Sequence, residues 1–430
     1  MKTLIINGGR KLKGDIAISG AKNSSMKIII ASILSSQPIL LHNIPYVSDV
    51  VTLLQILQTI GVKLSVNGNY TINPSKTIEI HSPELKSEIT DYMLTNKIRT
   101  SILMLGPLLA RNGYVKISKP GGCNIGERKI DLHIMAMKRL GATIIETNDY
   151  VEATTNGKRL KGAEIVFPQI SVGATENAIM ASVIAEGNTT LKNIAIEPEI
   201  DDLILFLNKL GAKITKTGER ELFIQGVETL GTTEHSIMPD RIEAATYALA
   251  AAITNGQIIL HHCSIKVFDN IIGILSNIGV EIKPFVSKDH VEGVVITRSE
   301  KNLSPIEIQT NPYPYFPTDL QPQLMALMAI THGTSIITEN IFEDRMQHVA
   351  EFNKLGANIE LQGKKAIIRG VESLHGGTVF GTDLRATAAL ALCGLVANGT
   401  VTIENAYYID RGYQNFARNL SRCGADVKIV

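Results

Sequence analysis

One cysteine in this sequence lies in a setting that could activate its thiol. Cys123 belongs to the run Lys119-Pro-Gly-Gly-Cys-Asn-Ile-Gly-Glu-Arg128, in which glycines precede and follow it. Glycines allow backbone conformations closed to other residues and let the main chain approach a ligand closely. The cations Lys119 and Arg128 favour the thiolate form, and such a thiol can act as a nucleophile or a general acid. A surface turn with an incidental cysteine explains this stretch alone equally well.

Six cations and one carboxylate supply the rest of the candidate chemistry. Arginine suits the bidentate binding of phosphate and carboxylate groups, and a helix N-terminus also favours anions. A solvated helix face accounts for any single cation, but the whole set predicts a cleft for a multiply anionic substrate, with Asp319 as its acid–base group. The cations are Lys22, Arg99, Arg128, Arg345, Arg385 and Arg411.

The elements that position these residues form a sixfold internal repeat. A short motif, glycine followed by alanine or valine, recurs six times. Its glycines lie at positions 61, 141, 211, 279, 356 and 424, which are 80, 70, 68, 77 and 68 residues apart. The predicted starts of the first helices stand 39, 42, 36, 38, 37 and 39 residues before these glycines. Those starts are Lys22, Arg99, Thr175, Arg241, Asp319 and Arg385.

Each repeat predicts the same succession of elements. An alanine- and leucine-rich first helix such as 244–253 ends at an Asn-Gly pair, whose glycine is expected to be left-handed. A strand, a second amphipathic helix such as 201–210, and one or two short strands follow. Arg345 and Arg411 fall on predicted second helices. Because one repeat cannot cover its own sheet, several must pack together and bury their first helices, which predicts an α/β protein.

Composition limits the functional class. The chain has 430 residues, 44% of them hydrophobic and 19% charged, which is typical of a globular protein with two or more domains. The four cysteines, Cys123, Cys263, Cys393 and Cys423, show neither disulfide nor metal-ligand spacing, so we expect a reducing cytoplasm and no metal. The N-terminal apolar run is too short for a signal peptide or a membrane span.

Ten motifs, in the same order and from end to end, resemble those of the UDP-N-acetylglucosamine 1-carboxyvinyltransferases. They are Ser19-Gly-Ala-Lys-Asn23, Gly106-Pro-Leu-Leu-Ala-Arg111, Pro120-Gly-Gly-Cys-Asn-Ile-Gly-Glu-Arg128, Asp131-Leu-His133, Ser171-Val-Gly-Ala-Thr-Glu-Asn177, Glu197-Pro-Glu199, Pro239-Asp-Arg241, Phe316-Pro-Thr-Asp319, Thr382-Asp-Leu-Arg385 and Ile409-Asp-Arg-Gly-Tyr413.

The resemblance implies a two-domain inside-out α/β barrel of six βαβαββ repeats, three in each domain. One domain would span 22–238 and carry the loop 119–128. The other would combine 1–21 with 239–430, because the N-terminal strand of the family returns to the second domain. The active site would lie in the cleft between them.

The resemblance also implies an activity. The family transfers enolpyruvyl from phosphoenolpyruvate to the 3′-hydroxyl of UDP-N-acetylglucosamine and releases phosphate, which is the first committed step of peptidoglycan synthesis and so bears on cell shape and division. It uses no metal and no cofactor. By analogy Cys123 is the acid that protonates phosphoenolpyruvate, and Asp319 is the base at the sugar hydroxyl. Lys22 and Arg411 complete the catalytic set.

Family positions also assign the substrate contacts. The residues implied to bind phosphoenolpyruvate are Lys22, Asn23, Arg128, Arg345, Arg385 and Arg411. The residues implied to bind UDP-N-acetylglucosamine are Asn23, Arg99, Arg128, Lys129, Ile130, Asp131, Leu132, Ser171, Val172, Gly173, Asp319 and Ile341. Since Cys123 is present, we expect inactivation by fosfomycin through alkylation of that thiol.

Three departures from the family pattern concern substrate geometry. Gln169 stands where some relatives carry lysine, and Ile196 stands where arginine is common. The run Tyr313-Pro-Tyr315 replaces a smaller one before Phe316.

Two other functional classes stay open at this point. One is enolpyruvyl transfer to another acceptor, such as shikimate-3-phosphate or a different nucleotide; Cys123 and the Ser171-Val-Gly run disfavour the shikimate enzyme. The other is a nucleic-acid-binding or RNA-cyclising protein with a similar repeat architecture. A net charge of +1 and 5% aromatic residues argue against that class, which needs a basic surface and stacking platforms.

Overall fold

The structure is a computed structural model that describes residues 2–67, 76–89, 92–121, 125–126, 129–299 and 302–430. It divides into two compact units. The middle unit comprises the described residues of 20–123 and 128–238, and the terminal unit those of 1–19, 124–127 and 239–430. In the described ranges no helix is long and apolar enough to cross a membrane.

Within the described ranges the chain forms 24 strands in six four-stranded sheets. The strands are β1 Leu4–Asn7, β2 Lys13–Ala17, β3 Ile39–Ile44, β4 Lys63–Asn67, β5 Lys76–His81, β6 Glu88–Ile89, β7 Tyr114–Ser118, β8 Thr143–Glu146, β9 Tyr150–Thr154, β10 Glu164–Val166, β11 Asn188–Lys192, β12 Lys213–Gly218, β13 Glu221–Gln225, β14 Glu234–Ser236, β15 Gln257–His261, β16 Val280–Val286, β17 Glu292–Arg298, β18 Glu307–Gln309, β19 Thr334–Thr338, β20 Asn358–Gln362, β21 Lys365–Arg369, β22 His375–Phe380, β23 Asn398–Glu404 and β24 Asp426–Ile429.

The same part of the chain forms 13 α-helices. They are α1 Lys22–Ala31, α2 Ser48–Thr59, α3 Tyr92–Thr95, α4 Leu105–Asn112, α5 Asp131–Arg139, α6 Val172–Ser182, α7 Pro198–Lys209, α8 Arg241–Ile253, α9 Ile272–Ile278, α10 Gln321–Ala329, α11 Val349–Lys354, α12 Leu384–Val396 and α13 Phe416–Arg422. Short 3-10 helices also occur, at Ser32–Leu34, Arg99–Met104, Ile265–Phe268, Thr318–Leu320 and Ala406–Arg411.

Every sheet has the same strand order. Counted across the sheet, the first and second strands are parallel. The second and third strands are antiparallel, and so are the third and fourth. The sheets of the middle unit are β14-β3-β5-β4, β6-β7-β9-β8 and β10-β11-β13-β12, and those of the terminal unit are β2-β15-β17-β16, β18-β19-β21-β20 and β22-β23-β1-β24. The six predicted βαβαββ repeats, three in each unit, are confirmed.

The chain closes each unit with a strand from outside the local repeat. In the terminal unit β1 pairs with β23 and β24, and β2 pairs with β15. In the middle unit β14 supplies the parallel first strand beside β3. Both N-terminal strands thus pair with strands of the terminal unit.

The first helices form the cores of the units, inside the sheets. Every residue of α8 and of α10 is buried, and α8, α10 and α12 pack against one another. Alanine dominates α8, and its small side chain lets helices approach closely without loss of helix propensity. In the middle unit α4 packs against α6 in the same way. This arrangement is the inside-out α/β barrel that the resemblance implied.

Left-handed residues end the helices at the predicted places. The six repeat glycines all have positive φ angles, between +88° and +106°. The prediction was wrong at the end of α8, where Asn255 takes the positive φ of 50° instead of Gly256. Gly256 packs on the backbone of Leu12, the residue before β2, where an added Cβ would lie 2.3 Å from the Leu12 carbonyl oxygen.

Two further details differ from the sequence prediction. Arg99 and Asp319 lie in 3-10 turns, and α4 and α10 begin only afterwards. Pro107 and Pro322 lack the N–H that would close the preceding α-helical turn, which explains the tighter turns. Arg345 lies in the turn before α11, and Arg411 ends a 3-10 helix before α13, so neither lies on a second helix.

Candidate active site

In the terminal unit two arginines converge on one carboxylate. Asp319 receives Arg345 Nη1 on Oδ1 at 2.9 Å and Arg385 Nη2 on Oδ2 at 3.0 Å. The arginine side chains are only 3% and 4% exposed, whereas that of Asp319 is 27% exposed. Ion pairs of low exposure thus fix both guanidinium groups, whereas the Asp319 side chain stays partly exposed.

The Arg385 guanidinium is held by helix α12 and by an aromatic ring. Its backbone N–H and that of Ala386 donate to the N-cap residue Asp383, at 2.8 and 3.2 Å. Its guanidinium lies 5.3 Å from the ring centroid of Tyr413. Burial lowers the pKa of Arg385, but Asp319, Tyr413 and Asp240 outweigh it and raise that pKa above its ordinary value. Arg385 is therefore a permanent cation.

Tyr413 is itself fixed by two helices. Its hydroxyl lies 2.9 Å from Thr246 Oγ1 and accepts from Gln323 Nε2 at 3.1 Å. These partners come from α8 and α10, so the central helix layer sets the position of the ring under Arg385. Burial raises the pKa of Tyr413, which keeps it a neutral hydrogen-bonding group.

A buried carboxylate organises the loop that carries Ile341. Glu339, 2% exposed, accepts hydrogen bonds from Thr310 and Thr318 hydroxyls at 2.8 and 2.9 Å and from the N–H groups of Ile341 and Phe342. Thr318 immediately precedes Asp319. The Glu339 carboxylate therefore ties the strand end, the Asp319 turn and the Ile341 loop together.

In the middle unit Lys22 opens α1 and is neutralised by Asp49. Its Nζ lies 2.8 Å from Asp49 Oδ2, and the two side chains are 14% and 8% exposed. The helix dipole disfavours a cation at this end, and Asp49 in the first turn of α2 offsets that cost. Asn23 follows Lys22 and is partly buried.

The predicted nucleotide-sugar residues of the middle unit surround two helix starts. Arg99 donates from Nη2 to the carbonyl of Lys129 at 3.3 Å, just before α5. Ile130 and Leu132 are buried, whereas Lys129 and Asp131 are exposed. Arg99 thus holds the segment that leads into α5.

Helix α6 begins at the predicted Ser171-Val172-Gly173 run. The Ser171 hydroxyl caps the helix by accepting from the Ala174 N–H at 3.3 Å. The first N–H groups of a helix lack intrahelical partners, and those of Val172 and Gly173 have no acceptor in the part of the chain that the structure describes, so they can donate to a ligand. An anion is the natural ligand of such a terminus.

The loop that holds the candidate thiol is described only in part. Cys123 and Arg128 lie outside the described residues. Lys119 forms an ion pair with Glu146 at 2.9 Å. Gly121 packs closely on Asn96, whose carbonyl oxygen would lie 2.0 Å from an added Cβ.

The residues that depart from the family pattern are partly or largely exposed to solvent. Gln169 is exposed and Ile196 is partly buried. The ring of Tyr313 lies 5.9 Å from the Arg241 guanidinium, and Tyr315 is 64% exposed.

Within each unit the structure shows which partners the predicted cations contact. Arg345 and Arg385 meet on Asp319, whereas Lys22 and Arg99 are each held by a different partner within the middle unit. The supporting residues that the sequence did not single out are Asp49, Glu339, Asp383 and Tyr413. Asp383 and Tyr413 lie inside quoted motifs and could have been found as an N-cap and a motif aromatic, but Asp49 and Glu339 carry no comparable signal.

Comparison with known proteins places the chain in a family. The model of the family described as EPSP synthase (3-phosphoshikimate 1-carboxyvinyltransferase) matches residues 6–420. Proteins from Wolbachia sp. subsp. Drosophila simulans (strain wRi) and Rickettsia bellii (strain OSU 85-389), both called UDP-N-acetylglucosamine 1-carboxyvinyltransferase, are each 44% identical to it. The first alignment covers 100% of this chain and 99% of the relative, and the second covers 100% of both.

A solved structure shows the same fold. The enolpyruvyl transferase NikO from Streptomyces tendae superposes with a TM-score of 0.87 at 24% identity, over 100% of this chain and 99% of that chain. The resemblance found in the motifs is thus confirmed along the whole length: the chain belongs to the UDP-N-acetylglucosamine 1-carboxyvinyltransferase family of enolpyruvyl transferases.

Proposed function

We propose that this enzyme transfers enolpyruvyl from phosphoenolpyruvate to the 3′-hydroxyl of UDP-N-acetylglucosamine. The sugar oxygen bonds to C2 of phosphoenolpyruvate while C3 takes a proton, which gives a tetrahedral adduct. Loss of a proton from C3 and cleavage of the C2–O bond to phosphate then restore the double bond and release inorganic phosphate. The product enters peptidoglycan synthesis, and the similarity to relatives of that name along the whole chain supports this assignment.

The observation that carries the proposal is the pair of buried arginines on Asp319. The two arginines fix the position of the Asp319 carboxylate, and its partial exposure gives a sugar hydroxyl access to it as the base. Arg345 Nε and Arg385 Nη1 have no hydrogen-bond partner among the described residues. We assign those cations, with Arg411, to the phosphate and carboxylate of phosphoenolpyruvate.

Preorganised cations stabilise the transition state more than the bound substrates. The adduct carries phosphate and carboxylate charge on a crowded carbon, and donors already in place need no reorganisation. In the middle unit we assign Lys22, Asn23 and Arg128 to the same anion. Arg99, Lys129–Leu132, Ser171–Gly173 and Ile341 are assigned to the nucleotide sugar, with the α6 terminus at its diphosphate.

Cys123 is assigned the role of the acid that protonates C3, and fosfomycin is expected to alkylate it. Fosfomycin should react selectively with Cys123, because the other three cysteines, Cys263, Cys393 and Cys423, are buried. Burial raises the pKa of Cys263 to about 12 and that of Cys423 to about 11, and raises that of Cys393 as well. Such thiols carry almost no thiolate at neutral pH, and their reduced state fits the cytoplasmic location that we propose.

Intact-mass analysis tests the fosfomycin assignment. We expect a single adduct that removes activity, and no adduct on a Cys123→Ser variant. Full activity in protein that carries the Cys123 adduct, or modification of a buried cysteine instead, would contradict it.

Phosphate release from phosphoenolpyruvate tests the reaction and the base together. We expect release only when UDP-N-acetylglucosamine is present, and a loss of about 10²- to 10⁴-fold in Asp319→Asn, the range of general base catalysis. Asp426→Asn is the matched control, because Asp426 is also 27% exposed and paired with an arginine, Arg10, at 3.3 Å. Release with shikimate-3-phosphate or another nucleotide in place of this acceptor would refute the proposed substrate.

A further inference from the structure

A buried histidine of the middle unit faces the start of α6 and has no role in the assignments above. His133 lies in α5 and is 7% exposed. A Cβ added to Gly173 would lie 3.2 Å from His133 Cε1 and 3.3 Å from Nε2. The Cε1 and Nε2 atoms of the imidazole therefore lie next to Gly173, the second residue of α6.

The hydrogen bonds of Asn177 determine which ring nitrogen carries the proton. The Gly106 N–H donates to Asn177 Oδ1 at 2.8 Å, which identifies that atom as the amide oxygen. The Asn177 Nδ2 group then faces the Ile102 carbonyl at 3.3 Å and His133 Nδ1 at 3.0 Å. Because an amide NH₂ only donates, Nδ1 accepts and the proton of the neutral imidazole resides on Nε2.

The imidazole stays neutral at ordinary pH. Burial, and then the field of Arg99, lower the pKa of His133 to about 3. A neutral Nε2–H group close to Gly173 and within the field of Arg99 adds a donor at the start of α6 without adding a charge. All these groups present N–H donors, so an anionic oxygen is the ligand they recognise together.

We propose that His133 is a further substrate-binding residue, whose Nε2–H donates to a diphosphate oxygen of the nucleotide sugar at the start of α6. This inference rests on the proposed function. Asn177 is its positioning residue, because the amide selects the tautomer. Gly173 keeps the approach open, since any side chain there would press on the ring.

Two substitutions of His133 separate the donor from the packing. Glutamine places its amide near the position of Nε2 and retains a donor, whereas asparagine reaches only the position of Nδ1. By isothermal titration, we expect His133→Asn to weaken UDP-N-acetylglucosamine binding about 10- to 100-fold, as for loss of a hydrogen bond to a charged group. We expect His133→Gln to stay within about threefold, and uridine, which has no diphosphate, to bind equally to all three proteins.

Nitrogen NMR of the unmodified enzyme provides a test that needs no variant. With ¹⁵N-labelled histidine, His133 should show a protonated Nε2 and an unprotonated Nδ1 from pH 6 to pH 8, and Nε2 should shift when UDP-N-acetylglucosamine is added. In Asn177→Asp both carboxylate oxygens accept, so the proton should move to Nδ1 and the nucleotide sugar should bind more weakly. An unprotonated Nε2 in the native protein would overturn the inference.

The outcomes distinguish this inference from the proposed function. If UDP-N-acetylglucosamine binds and supports phosphate release, but His133→Asn binds it as tightly as the native enzyme, only the role of His133 is refuted. If the native enzyme neither binds the nucleotide sugar nor releases phosphate with it, the proposed function fails first.

Discussion

Glu243 predicts an unusual dependence of stability on pH in the terminal unit. It lies in the first turn of α8, is 1% exposed, and accepts from the N–H and hydroxyl of Ser19 at 2.9 and 2.6 Å on Oε2. Its other oxygen has no partner among the described residues. Burial, followed by the nearby Asp240 carboxylate, raises the pKa of Glu243 to about 8, against the opposing effects of Ser19 and Arg385.

The sign of the effect follows from proton binding. Between an unfolded-state pKa of 4.5 and a folded-state pKa of about 8, the folded protein holds one proton that the unfolded chain has lost. The free energy of unfolding therefore falls as pH rises through this window, by about 1.4 kcal/mol per unit. The total is on the order of 4 kcal/mol at pH 8.5, relative to pH 4.5.

The substitution Glu243→Gln removes this dependence while keeping the shape of the protonated acid. The amide oxygen can accept from Ser19, and the amide nitrogen takes the place of the protonated oxygen. We expect the variant to match the native protein near pH 5 and to be more stable at pH 8.5. For a unit of about 200 residues, a difference of this order raises Tm by roughly 10 °C.

Scanning calorimetry at pH 5 and pH 8.5 measures the difference directly. Glu281→Gln is the control, because the Glu281 side chain is 43% exposed in the same unit and paired with Lys283, so it should show no pH-dependent difference. Parallel pH profiles for native protein and Glu243→Gln, or a variant less stable at pH 8.5, would refute the inference that Glu243 is a protonated buried acid.

Two further predictions concern the arginine pair and the repeat glycines. Arg385→Lys loses the planar guanidinium that bonds Asp319 and lies over the Tyr413 ring. We therefore expect KM for phosphoenolpyruvate to rise about tenfold or more in initial-rate assays. An unchanged KM would contradict the assignment. Gly141→Ala should cost about 1–2 kcal/mol in urea unfolding, because φ is +94° in open space. Gly356→Ala should cost more, since its Cβ would lie 2.7 Å from the His375 ring, and equal losses would contradict this ordering.

Much of the fold could be predicted because the repeat leaves a backbone signature. A left-handed turn after each second helix needs glycine, so the six glycines mark the repeat regardless of what surrounds them. Apolar, alanine-rich first helices likewise predict their own burial. The sequence did not predict that Asn255, rather than Gly256, takes the left-handed conformation at the end of α8. Asparagine tolerates a positive φ, and glycine is required at 256 by the close approach of Leu12.

The candidate site was less predictable where it depends on contacts between distant residues. Nothing in the sequence pairs Lys22 with Asp49, and the two are brought together only when α1 packs beside α2. The tautomer of His133 depends on Asn177, 44 residues away, and on the backbone of α4. Spacing within the repeat identifies equivalent positions, but it does not show which equivalent side chains meet.

The pair of arginines on Asp319 has a consequence for how an anion would bind. Arg345 and Arg385 are almost fully buried, and Asp319 offsets part of the cost of burying them before substrate arrives. An incoming phosphoenolpyruvate would take over donors from Asp319 and free its carboxylate to receive a proton. In the proposed mechanism, the resting ion pairs would both hold the arginines in place and keep Asp319 engaged until the anion binds.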